Sequence, residues 1–284
     1  MSFKAFAIAG VLALASFAAA RAEVAPPLCG VQIPATFDDD GVYVAVSVNG
    51  HKDRMVLDTG ASDMALGQNE AAAFGIATPK RVEMHGVGGS MTDGIGTATD
   101  VSIGPIHLAN VPTSVHAEPV FEQDLLGSAL LSRYVVTIDF PRKTVTACDP
   151  RAFDPSKMTV PAQAVDVRGG LALMTVGFGD QYGQLLLDTG AVRSMLFGEF
   201  AKKLPLKRFI GDSYMQGVSV ESFQVYRFDH MALGQFDYRD FAIWTQTRPE
   251  PASKQYDGLL GRDLMQALRI TFDYPAGAVF MERS

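Results

Sequence analysis

Valines at 42, 44, 46 and 48 alternate with smaller or polar residues, the period-two pattern of a strand with one face turned to a core. Asn49-Gly50 follows at once, a pair that favours the positive φ angles of a tight hairpin turn, and an apolar return run reaches Leu57. The second half repeats this order, with Gly179-Asp180 at the turn and Leu185-Leu186-Leu187 ending the return strand. Helical spacing is confined to short stretches: Asn69 to Phe74, Ser128 to Ser132, Gly198 to Leu204 and Arg262 to Ala267. The pattern predicts a mainly β chain.

The similarity of the halves extends to their register. Met55-Val56-Leu57-Asp58-Thr59-Gly60-Ala61 recurs as Leu185-Leu186-Leu187-Asp188-Thr189-Gly190-Ala191, a shift of 188 − 58 = 130. Ile103-Gly104 maps onto Leu233-Gly234 at the same shift, and Ile106, Leu108 and Val111 map onto Phe236, Tyr238 and Phe241. Farther on, Leu126-Gly127, Thr137, Asp139-Phe140-Pro141 and Val145 match Leu260-Gly261, Thr271, Asp273-Tyr274-Pro275 and Val279 at a shift of 134, so four residues are inserted before Leu260. The expected organisation is a leader over 1–22, a first lobe over 23–150, a linker over 151–167 and a second lobe over 168–284. Proline and polar residues between Pro150 and Pro161 mark the connection.

The leader is read from Lys4, the apolar run Ala5 to Ala20 and the small-x-small site Ala20-Arg21-Ala22, the layout of a secretory signal. This run is short for a membrane span, so the expectation is a periplasmic or secreted protein, cleaved near Ala22, with no stable membrane anchor afterwards. Cys29 follows Pro27-Leu28 well past the apolar run, which argues against a lipid-modified cysteine. The full chain has 24 basic and 31 acidic side chains; without Lys4 and Arg21 the balance is 22 − 31 = −9. Such an acidic protein lacks the electrostatic footprint of a nucleic-acid binder. Cys29 and Cys148 bracket the first half; in an oxidising compartment they could close a loop, and two buried thiols are the alternative.

The repeat carries its chemistry in Asp58 and Asp188. An ionised carboxylate at the end of an apolar strand is costly to bury alone, and finding it twice suggests that the two meet. Two carboxyls in contact share a proton: the ionised one can take a proton from water while the protonated one donates to a carbonyl oxygen. The turns at 58–61 and 188–191, with Leu125-Leu126-Gly127 and Leu259-Leu260-Gly261 downstream, resemble the signatures of the retropepsin and pepsin superfamily of aspartic peptidases. The resemblance covers nearly all of the mature chain. It implies a bilobal acid-protease fold of two retropepsin-like β-barrel repeats, and an aspartic endopeptidase acting on extended peptide or protein segments without a cofactor. It also implies that Thr59 and Thr189 lock the two active-site loops through hydroxyl-to-backbone bonds, while Gly60 and Gly190 allow close backbone approach to the carboxylates.

His85-Gly86-Val87-Gly88-Gly89-Ser90 lies where that family carries a flap, and Gly86, Val87, Gly88 and Gly89 are the expected substrate-covering residues. Gln216-Gly217-Val218 is a weaker counterpart, and no flap tyrosine of the pepsin kind is present. Ser62 follows the first Ala, whereas Val192 follows the second. The Ser62 hydroxyl is expected to bond Asp58, making Asp58 the more readily ionised member and Asp188 the proton carrier. Val192 also leaves open a second lobe that binds peptide without catalysis. The five histidines show no metal-ligand spacing, and H-E-x-x-H, G-x-S-x-G and G-x-x-x-x-G-K are absent, so no metal site, serine elbow or phosphate cradle is expected. Trp244 and Tyr238 read as core or cleft-wall residues. The expected biological role is limited processing of envelope proteins.

Overall fold

A computed structural model describes residues 29–117, 123–205, 208–216, 220–247 and 251–283. The predicted leader over 1–22 lies outside the described residues, as do Gly217 and Val218 of the weaker flap counterpart. Among the described residues no helix is long and apolar enough to cross a membrane.

The alternating valines form the strand Val42–Val48, which turns through Asn49 (φ 50°) and Gly50 (φ 86°) into His51–Leu57. The predicted hairpin is thus present, and its inward valines pack in the main core. Among the described residues the four α-helices are short: Gln68–Ala73, Ser128–Leu131, Gly198–Ala201 and Arg262–Met265. Strands dominate, as the pattern predicted.

Each lobe is built on an eight-stranded sheet, and the strand orders of the two sheets correspond one to one. Each sheet curls until distant members meet. In the first lobe Val42–Val48 pairs with Gly89–Ile103 at Ser47 to Ser102; in the second Leu171–Phe178 pairs with Val220–Leu233 at Val176 to Leu233. These closures make the retropepsin-like barrels that the resemblance implied.

A third, six-stranded sheet joins the lobes by pairing Val135–Asp139 with Leu268–Asp273. Thr137 stands opposite Thr271 in that pairing, and their hydroxyls hydrogen-bond at 2.8 Å. A residue that meets its own repeat partner in an antiparallel pair must lie on the pseudo-twofold axis. The repeated Asp-aromatic-Pro segments turn the hairpins of this sheet, with Asp139 accepting from the Arg142 N–H at 3.0 Å and Asp273 from the Ala276 N–H at 3.2 Å. The connecting stretch also takes part: Gln163–Ala164 forms an edge of the shared sheet, and Asp166–Arg168 pairs with the first long strand of the second lobe.

Cys29 and Cys148 are joined by a disulfide across a sequence separation of 119, beside the edge strand Val31–Ile33. Closing that loop should stabilise the chain by about 5 kcal/mol in the chain-entropy description. Replacing both cysteines by serine should lower the unfolding free energy in urea by roughly that amount; thiol titration of the unreduced wild type should find neither group free.

Candidate active site

Each Asp-Thr-Gly turn is held from below by the downstream Leu-Leu-Gly. The strand ending at Leu57 runs parallel to Leu125–Leu126, and the N–H of Asp58 donates to the Leu126 carbonyl at 3.0 Å. In the second lobe Leu187 pairs with Leu260, whose carbonyl accepts from the Asp188 N–H at 3.0 Å. The glycine that follows is required by packing. A Cβ on Gly127 would stand 2.3 Å from the Ala61 carbonyl oxygen, and one on Gly261 would stand 2.5 Å from the Arg193 carbonyl carbon. The apolar pair clamps the aspartate strand, and the glycine lets the turn sit on top.

Across the pseudo-twofold axis the threonines bond reciprocally. Thr59 Oγ1 donates to the Leu187 carbonyl at 2.6 Å and accepts from the Thr189 N–H at 2.9 Å. Thr189 Oγ1 donates to the Leu57 carbonyl at 2.6 Å and accepts from the Thr59 N–H at 3.0 Å. Both side chains are fully buried, so each turn depends on the other lobe for its polar partners. Arg262 adds a further link, donating to the carbonyls of Asp38 and Asp39 at 3.3 and 3.0 Å.

This arrangement brings Asp58 and Asp188 together, with their carboxyl groups hydrogen-bonded to each other. Gly60 and Gly190 make the approach possible: a Cβ on Gly60 would lie 2.5 Å from Asp188 Cγ, and one on Gly190 would lie 2.6 Å from Asp58 Cγ. The Gly60 N–H donates to Asp58 at 2.7 Å, and the Ala191 N–H donates to Asp188 at 2.9 Å. Burial raises both carboxyls above their ordinary range. After burial, the charge of Asp58 lifts Asp188 furthest, and the shared hydrogen bond lowers Asp58 while raising Asp188. The two carboxyls therefore titrate as a pair that shares one proton.

Ser62 does not play its expected part. Its hydroxyl hydrogen-bonds Asp63, and the acceptor oxygens of Asp58 are served by backbone N–H groups and by Asp188. Val192 lies exposed at the rim of the cleft.

A cavity of about 330 Å³ lies above the pair. Its roof is a hairpin of Lys80–Gly86 and Gly89–Ile103, turning through Val87 and Gly88. Gly88 has φ 90° and Gly89 φ 148°, where a side chain would be strained. Gly86 and Val87 line the cavity, and Val87 also packs against an apolar cluster of the second lobe that includes Leu186 and Leu259. The flap thereby spans from one lobe to the other. Trp244 and Tyr238 stand among apolar neighbours, Trp244 in the second-lobe cluster and Tyr238 against the main core.

Sequence reasoning missed Asp63, Asp93, Ser114 and His116, which also line the cavity. For Asp93 and His116 the one available signal was an ionisable residue at an inward position of a strand, which no local motif distinguishes from a surface charge. Tyr274 escaped as well; buried behind the pair, its phenol is pushed far above its ordinary value, chiefly by burial.

Two consequences can be measured. Thr59→Val removes a hydroxyl that both donates and accepts in a buried site, and it should cost about 2–5 kcal/mol in chemical denaturation. The raised carboxyls give a second test. Asp188 in the folded protein holds its proton above 3.8, so its contribution to stability is greatest at acid pH and is lost as pH rises through the folded value. Asp188→Asn, which carries no such penalty, should have a higher Tm than wild type at neutral pH, and the difference should shrink on acidification; parallel Tm curves against pH would contradict this linkage.

Residues 44–133 match the family described as gag-polyprotein putative aspartyl protease, and residues 174–264 match the family described as aspartyl protease. No curated protein matches the chain. Each lobe thus matches an aspartyl-protease family over the stretch that bears its Asp-Thr-Gly turn, and the chain belongs to the retropepsin-like aspartyl proteases as two repeats in one polypeptide.

Proposed function

We propose that the protein is an exported aspartic endopeptidase in which Asp58 and Asp188 activate water against a peptide bond. The observation that carries this reading is the hydrogen-bonded carboxyl pair at the floor of a cavity roofed by the flap. Asp58, ionised, takes a proton from the water as its oxygen bonds to the peptide carbon, and Asp188 donates its proton to the carbonyl oxygen. Collapse of the tetrahedral diol breaks the C–N bond, and the proton held by Asp58 passes to the departing amine. Asp188 recovers its proton as the carbonyl reforms.

The cleft favours an extended chain. Backbone groups of the flap hairpin can pair with a strand lying between flap and carboxyls, while side chains alternate into the two lobes. A flap that reaches the second lobe excludes folded segments, which supports limited processing of exposed stretches in envelope proteins. Export is supported by the leader pattern over 1–22 and by a disulfide of the kind that persists in oxidising compartments. The expected protein begins near Glu23 and is periplasmic or secreted.

The test uses protein recovered from the extracytoplasmic fraction, its N-terminus located by mass spectrometry, and a random peptide library. Wild type should cleave and a statine peptide should inhibit it. Asp58→Asn and Asp188→Asn should each lose at least about 10³-fold in kcat/KM while remaining folded. Undiminished cleavage by either variant would overturn the dyad assignment, and folded wild type that binds peptide without cutting would make the protein a binding module.

A further inference from the structure

The internal repeat supplies a control for reading the cleft, because the positions around the flap in one lobe have counterparts in the other. Around the flap the registers agree: Ile95 pairs with Ser114 in the first lobe and Val225 with Trp244 in the second, both displaced by 130. Beneath the second-lobe hairpin, Phe223 and Trp244 fill this corner with rings 5.4 Å apart, inside an apolar cluster. The same positions of the first lobe hold Asp93 and Ser114, since 223 − 93 = 130 and 244 − 114 = 130. His116 stands where the second lobe has Gln246. Two aromatic side chains on one side of the molecule are replaced on the other by a polar hollow that opens on the cavity.

That hollow holds a buried carboxyl with one unpartnered oxygen. Asp93 is only 3% exposed, lines the cavity, and has an Oδ1 atom that accepts no hydrogen bond. Its Oδ2 lies 3.9 Å from Nδ1 of the buried His116, beyond hydrogen-bond reach. Asp63 adds a second carboxyl, and no lysine or arginine lines the cavity among the described residues. Met84, Met91 and Leu125 form pliable apolar walls beside these acids. Among the described residues no cluster of metal-ligating side chains can hold a metal ion, so the acids are not arranged as a cation cage. The opposite half of the cleft is apolar, with Leu171, Leu186, Ala191, Tyr256 and Leu259. A buried acidic corner beside apolar walls fits a long methylene stem that ends in a positive charge.

We propose that the first-lobe half of the cleft is a specificity pocket for a lysine or arginine side chain of the peptide, with Asp93 receiving its charge. This rests on the peptidase reading above and narrows its substrates to extended segments that place a basic residue in the first lobe and an apolar residue in the second. Such a side chain offers a charged donor to Asp93 Oδ1, which no protein group among the described residues bonds. The Phe223 and Trp244 corner closes the equivalent space in the other lobe, which confines the basic residue to one side of the scissile bond and sets the direction of the bound peptide.

Paired peptides differing only by lysine or norleucine at single positions are the test, read both as kcat/KM and, with statine in place of the scissile bond, as Kd. Wild type should prefer lysine at one position by about 100-fold or more, and Asp93→Asn should reduce that ratio to below about 10-fold. The wild-type comparison needs no variant, and thermal unfolding of Asp93→Asn confirms that it is folded. Equal use of lysine and norleucine at every position, no binding of either statine peptide, or a ratio unchanged in Asp93→Asn would overturn the pocket. If the lysine statine peptide binds in an Asp93-dependent way but no peptide is cleaved, the pocket stands and the peptidase reading falls.

Discussion

The structure depends on the reciprocal hydrogen bonding of Thr59 and Thr189. Each threonine places a hydroxyl and a backbone N–H in a site closed to water, and each finds its partners on the opposite turn. A buried polar group without a partner is costly, so neither turn can keep its shape without the other. The lobes are thereby coupled at the point where the chemistry is placed. The carboxyl pair inherits its geometry from this contact, because each aspartate immediately precedes its threonine. Glycines 60 and 190 complete the constraint by leaving room for the opposing carboxyl.

Symmetry and its loss share the work in this molecule. Where the repeat is kept, it serves architecture: the strand orders, the apolar clamps beneath the turns and the Thr137 to Thr271 contact on the axis. Where it is broken, the differences gather at the cleft. One corner under the hairpins is packed with Phe223 and Trp244, while its counterpart is hollow and acidic. A symmetric pair of carboxyls can activate water against a peptide bound in either direction; unequal walls give the peptide one direction.

Much of the fold was legible because the signals were local and came twice. Alternating valines marked a strand, Asn49-Gly50 marked its turn, and the constant displacement of 130 aligned the halves before any contact was known. The paired Asp-Thr-Gly turns pointed to a meeting of carboxyls for a simple energetic reason, the cost of burying one alone. The roles of the downstream glycines were less visible, since their need arises from atoms more than sixty residues away in sequence. Ser62 shows the same limit: its hydroxyl had two carboxylates within a few residues, and only the turn's conformation directs it to Asp63.

The amino-acid sequence by itself determined the strand-rich class, the two repeats and the two aspartates, because period, turn chemistry and self-similarity are properties of neighbouring residues. Tertiary structure alone decided how closely the carboxyls approach, that the flap tip reaches the second lobe, and that Asp93 and His116 face the cleft. Those outcomes depend on distance and burial between segments far apart along the chain. A strand pattern says that a residue points inward, but whether it meets a core or a cavity is settled by what packs against it.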